Sequence, residues 1–143
     1  MTKARKATLA ALTEAPAPLT ASAVLKCIGE LCDQATVYRT LHYLEEKGFA
    51  ESFVLHCEEH GTERYYSAIR GDGNGEIPHR HWFHCEACHR FIAIGACTVS
   101  QLVEKFESDQ NVSVRRHVLY FTGLCAECRK LSAQKGGNEI AFS

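Results

Sequence analysis

Long apolar runs are missing from this chain of 143 residues, and none approaches the roughly 20 residues that a membrane-spanning helix needs. The N-terminus, Met1-Thr-Lys-Ala-Arg-Lys6, has no apolar core or cleavage pattern behind it, so a cytoplasmic protein without a membrane partner is expected. A surplus of one charge sign is also missing. The net charge is −1, so nothing global announces a nucleic-acid binder. Within residues 1–50, six Lys and Arg face five Asp and Glu, and DNA contact there requires a local patch. Internal repeats are absent. Proline is scarce, with three residues, Pro16, Pro18 and Pro78, all at breaks between periodic segments.

What stands out is eight cysteines and eight histidines in a chain of ordinary apolar (45%) and charged (23%) content. In a secreted chain the cysteines would read as disulfides. Without a signal sequence, metal or thiol chemistry is the better reading, because the cytosol keeps thiols reduced.

Residues 2–15 have the period of a helix with Leu9 and Leu12 inward, ended by Pro16-Ala-Pro18. Thr20 can cap a second helix reaching Ile28, with Ala21, Val24, Leu25 and Ile28 on its buried side. A third helix is expected from about Gln34 to Lys47, stopping at Gly48. Val37, Leu41 and Leu44 face inward on it, and Ala35, Tyr38, Arg39, His42 and Glu46 form the opposite face. Two strands follow, near 51–57 and 64–69, joined by the polar stretch 58–63. Three helices and a two-stranded wing make a winged helix-turn-helix over residues 1–70, and residues 71–78, rich in glycine, read as a hinge. Beyond it, residues 80–85 and 90–95 read as a hairpin. Thr98 and Gln101 form a capping box for a helix striped by Val99, Leu102, Val103 and Phe106. Residues 112–121 alternate as a strand, and residues 132–143 read as a flexible tail.

Cys85-x-x-Cys88 and Cys125-x-x-Cys128 are the strongest chemical signal. Each tight turn aims two sulfurs at one point, and two turns supply the tetrahedral four-sulfur set that structural zinc prefers. Cys27, Cys32, Cys57 and Cys97 read as free thiols. Tyr38, Arg39 and His42, with Thr36, have the make-up of a helix face that reads a major groove of double-stranded DNA, and Arg5 can hold the backbone. His79 and His81 lie on one side of a strand, and His117 lies in the later strand, which raises the odds of a second metal. A rival pattern, His84-Cys85-Glu86 with Cys125-x-x-Cys128, imitates zinc-dependent nucleobase deaminases. It lacks the proline before the second pair and leaves Cys88 idle.

Taken together, Thr2…Arg5, Ala35-Thr-Val-Tyr-Arg-Thr-Leu41, Leu44-Glu-Glu-Lys-Gly-Phe49, Arg64-Tyr65, the His-rich run before Cys85-Glu-Ala-Cys88, and His117 before Gly123-Leu-Cys125-Ala-Glu-Cys128 resemble the ferric uptake regulator family. The resemblance spans about residues 2–130. It implies an α+β chain: an N-terminal winged helix-turn-helix domain, a hinge, and a C-terminal α/β dimerisation domain (79–131) that holds the four-cysteine zinc. It also implies a homodimeric, metal-responsive repressor, with no enzymatic activity and no small-molecule substrate, whose second, regulatory metal favours DNA binding. The chain departs from the family pattern at Pro18 (often His), at Tyr66 (often Glu), and in the spacing of His79 and His81 before Cys85. Glu51 falls where zinc-sensing relatives place a ligand. The expected regulatory set is therefore His79, His81, Glu51 and His117, with Zn2+ favoured over Fe2+ or Mn2+. The alternative is a thiol-based or peroxide-sensing repressor of the same fold.

Overall fold

A computed structural model describes residues 1–69, 80–95 and 99–134. The chain begins with α1 (Lys3–Glu14), α2 (Ala21–Ile28) and α3 (Gln34–Glu46). Each start is fixed by an oxygen that takes an orphan backbone N–H. Thr2 accepts from Arg5, Thr20 from Ala23, and Asp33 from Thr36 at 2.9 Å. The stop expected at Gly48 is present, with Gly48 at φ 81°, a conformation that costs glycine little. A single 3-10 turn, Gly29–Leu31, links α2 to α3 and was not foreseen.

The three helices bury Leu9, Leu12, Val24, Val37, Leu41 and Leu44 in one core. That core is closed by β1 (Ala50–Cys57) and β2 (Gly61–Ala68), an antiparallel hairpin that contributes Ala50, Tyr66 and Ala68. β1 ends at Cys57 as expected, but β2 starts earlier than expected, because Gly61 at φ 76° lets it begin at once after the turn 58–60. Reciprocal backbone bonds between Leu19 and Tyr66, at 2.9 and 2.8 Å, fasten the approach to α2 onto the hairpin. This is the expected winged helix-turn-helix.

The second part is built on β3 (Trp82–Cys85), β4 (Phe91–Ala93), α4 (Ser100–Gln110), β5 (Tyr120–Gly123) and α5 (Ala126–Gln134). Its sheet has the order β4-β3-β5, with β4 antiparallel and β5 parallel to the central strand. Two expectations need correction. The strand expected over 112–121 is confined to Tyr120–Gly123, because alternation marks a face but names no pairing partner. The second thiol pair opens α5, which runs on to Gln134 where a tail from 132 was expected. The capping box expected from Thr98 and Gln101 rests on Thr98, which lies outside the described residues; α4 itself starts at Ser100. The stripe on α4 is exposed in the single chain, Leu102 at 66% and Phe106 at 53%.

The wing and the second sheet touch through aromatic rings. Phe53 of β1 stacks on Tyr65 and meets Phe91 and Tyr120, and Tyr65 meets Phe91 edge-on at 5.0 Å. None of the described helices is long and apolar enough to cross a membrane.

Candidate metal centre and nucleic-acid face

The turn between β3 and β4 presents Cys85 and Cys88, and the turn between β5 and α5 presents Cys125 and Cys128. The parallel pairing of Cys85 with Gly123 sets the two turns side by side. All four sulfurs lie within 4.8 Å of one another. A tetrahedron with metal–sulfur bonds of about 2.3 Å has edges of about 3.8 Å, and Cys88 Sγ to Cys125 Sγ measures 3.8 Å.

The surroundings favour the thiolate at Cys85 and Cys125. Cys85 Sγ accepts the backbone N–H groups of Cys88 at 3.5 Å and Cys125 at 3.4 Å. Burial pushes the Cys85 thiol up, but N–H donors from Cys88, Cys125 and Ala87 outweigh it and bring the pKa down to about 6. The N–H of Cys128 lowers Cys125 against its burial, while the Cys125 thiol beside it pushes Cys128 up to about 12. Four sulfurs this close cannot all ionise without a cation among them. A divalent, thiolate-seeking ion such as zinc fits the donor set, and the four cysteines would hold it. His84 has no part in this cluster. Its Nε2 lies 3.4 Å from His89 Nδ1, and Cys88 completes the sulfur set, which argues against the deaminase pattern.

A second meeting point lies between the wing and the sheet. His81 Nε2 is 3.1 Å from His117 Nε2, and Glu51 lines the same small cleft with Ser52, Arg80 and Trp82. His81 is buried and His117 half-buried. Arg116, next to His117, reaches the Ser52 carbonyl at 3.4 Å and lies 4.0 Å from Glu45 of α3. Ser52 donates to Glu45 at 2.6 Å and accepts from Arg64 at 2.9 Å. This polar net, missed in the sequence, joins α3, the wing and the segment carrying His117. His81 and His117 thus meet and Glu51 lines the same cleft, while His79 lies outside the described residues.

On α3, Tyr38, Arg39 and His42 are exposed and Thr36 half-buried, on the side away from the buried Val37, Leu41 and Leu44. Tyr38 is 50% exposed, and Arg39 donates to Thr36 Oγ1 at 3.2 Å. Arg5 of α1 lies against Tyr43 of α3. Its guanidinium lies 3.6 Å from the centre of the Tyr43 ring, which fixes a cation beside α3.

A third cluster was not read from the sequence at all. Glu59 and His60 of the wing turn lie against His89.

A family model for the ferric uptake regulator family matches residues 1–122. No match was found among curated proteins. Among solved structures, the ferric uptake regulator of Helicobacter pylori, described with three functional metal-binding sites, superposes with a TM-score of 0.64 at 19% identity, covering 90% of this chain and 81% of that one. A zinc uptake regulator solved with zinc and DNA gives 0.62 at 22%, covering 92% and 85%. The peroxide stress regulator of Campylobacter jejuni gives 0.65 at 16%, covering 85% and 99%. At these identities the likeness is one of fold.

Proposed function

The chain belongs to the ferric uptake regulator family, and from that premise we propose that it is a zinc-responsive, homodimeric DNA-binding repressor without enzymatic activity. The observation that carries this reading is the cleft where His81 and His117 meet at 3.1 Å beside Glu51. Neutral imidazoles at that separation are about one tetrahedral edge apart, and the Glu51 carboxylate of β1, on the same cleft, would tie a metal there to the wing. Cys85, Cys88, Cys125 and Cys128 would hold a separate structural zinc that fastens β3, β5 and α5 together. Imidazole-rich sites suit Zn2+ better than the oxygen-rich sets that suit Mn2+.

A metal in the cleft would hold the wing, and with it α3, in one arrangement against the second sheet. It can raise DNA affinity only through its preference for that arrangement. Thr36, Tyr38, Arg39 and His42 would meet the duplex, with Arg5 alongside. Leu102 and Phe106, bare in the single chain, support a homodimer, because large apolar side chains in register on one helix face mark an interface. The test is DNA binding by the structural-zinc form with Zn2+, Fe2+ or Mn2+ added in turn. Tightening by Zn2+ at the lowest free concentration supports the reading. Metal-independent binding that is lost on mild oxidation supports instead a thiol switch.

A further inference from the structure

We infer that the wing turn and the first cysteine turn together form another metal site, in which Glu59, His60 and His89 hold a divalent transition-metal ion. Each of the three can offer one donor atom, and these atoms lie within 4.8 Å of one another. Glu59 and His60 follow β1, whereas His89 follows Cys88, so the donors come from segments far apart in sequence. Glu59 Oε2 is 2.8 Å from His89 Nε2, and the rings of His60 and His89 are 4.2 Å apart. A bound ion would open the shorter contact to about 3.3 Å, the edge of a tetrahedron with nitrogen and oxygen ligands near 2.0–2.1 Å. The exposed Glu59 side chain can absorb that movement.

Two further features belong to a built site. His89 has φ 65°, a left-handed conformation that suits glycine and is costly for a side chain with a Cβ. The cysteine turn needs that backbone, since His89 N–H bonds to the Cys85 carbonyl at 2.9 Å, but it does not need an imidazole. The other face of the ring is also occupied. His89 Nδ1 is 3.4 Å from His84 Nε2 and 3.7 Å from Cys57 Sγ, both buried. A histidine that binds metal through Nε2 has its Nδ1 held by such a partner, which fixes the ring. Mixed carboxylate and imidazole donors select zinc, cobalt or nickel over calcium or magnesium.

The site lies at the tip of the hairpin, whereas Glu51 stands near its base; Cys57 is six residue steps along the strand from Glu51, about 20 Å. Occupancy would pin the wing tip to the sheet independently of the His81 cleft. The probe is Co2+ alone, titrated into the full chain carrying its structural zinc and read by visible absorption and stoichiometry. We expect Glu59→Gln and His60→Ala each to weaken one class of cobalt sites at least tenfold, and His81→Ala to leave that class unchanged. His89→Gly should lose the same class while keeping the structural zinc, because glycine suits the φ that the cysteine turn needs. Wild-type cobalt stoichiometry and affinity in both Glu59→Gln and His60→Ala would overturn the site. The cobalt readout is independent of DNA binding, so failure of the repressor reading would leave this result standing.

Discussion

Arg39→Ala separates reading DNA from holding the fold. The Arg39 side chain is exposed on α3, and its bond to Thr36 spans a single helical turn. Its removal leaves the core of Val37, Leu41 and Leu44 untouched, so stability should change by no more than about 0.5 kcal/mol. A bidentate contact to a base edge is worth about 1–3 kcal/mol. A homodimer presents two copies, so the loss should reach about 2–6 kcal/mol, or about 30-fold in affinity at the lower end. If Arg39 touches phosphate instead, binding weakens on every sequence and the salt slope falls by about 0.9 for each contact. The assay is fluorescence anisotropy on a duplex selected by the wild type and on a scrambled one, at several salt concentrations, with a thermal melt as the fold control. Wild-type affinity at every salt concentration, with a wild-type melt, would show that this face of α3 does not read DNA.

Cys85→Ser should release the structural zinc and lower the melting temperature sharply, since such ions supply about 10–16 kcal/mol in small zinc folds. A zinc-loaded variant that melts like wild type would contradict the four-sulfur site. Leu41→Ala, at a fully buried position between the helices, should cost about 2–5 kcal/mol in denaturant unfolding. A loss below about 1 kcal/mol would mean that the helices do not share one core. Phe106→Glu should give a folded monomer by sedimentation, because a charge on the exposed α4 stripe cannot be buried against a second copy. An unchanged dimer would place the interface elsewhere.

The helical half was legible because its signals were local and redundant. Thr20 gave a cap, Gly48 a stop, and Leu9, Val24, Val37, Leu41 and Leu44 a helical period that matches the buried set. The four thiols were legible because spacing alone brings each pair to one point. The limits of strand β5 were not, because pairing with β3 depends on a partner far away in the chain. Helix α5 was passed over although Ala126, Glu127, Arg129, Lys130 and Leu131 are good helix formers, since no apolar stripe marks it. The α4 stripe was readable as a face, but what covers it was not. His84 and His89 flank the cysteines without any ligand spacing of their own, and only folding sets His89 beside Glu59 and His60. His81 and His117 were named from their strand faces, and the chain brings them together although most of the later strand is absent.

The central claim is that a metal joining His81 and His117 to Glu51 governs DNA affinity. It is tested most directly by DNA binding of wild type and His81→Ala, with and without added Zn2+, after mild chelation that spares the four-thiolate site. Wild type should bind DNA about 5- to 150-fold tighter with Zn2+, the range of a coupling energy of about 1–3 kcal/mol. His81→Ala should keep its structural zinc and its dimer and lose that response. An equal response to Zn2+ in both proteins would contradict the account.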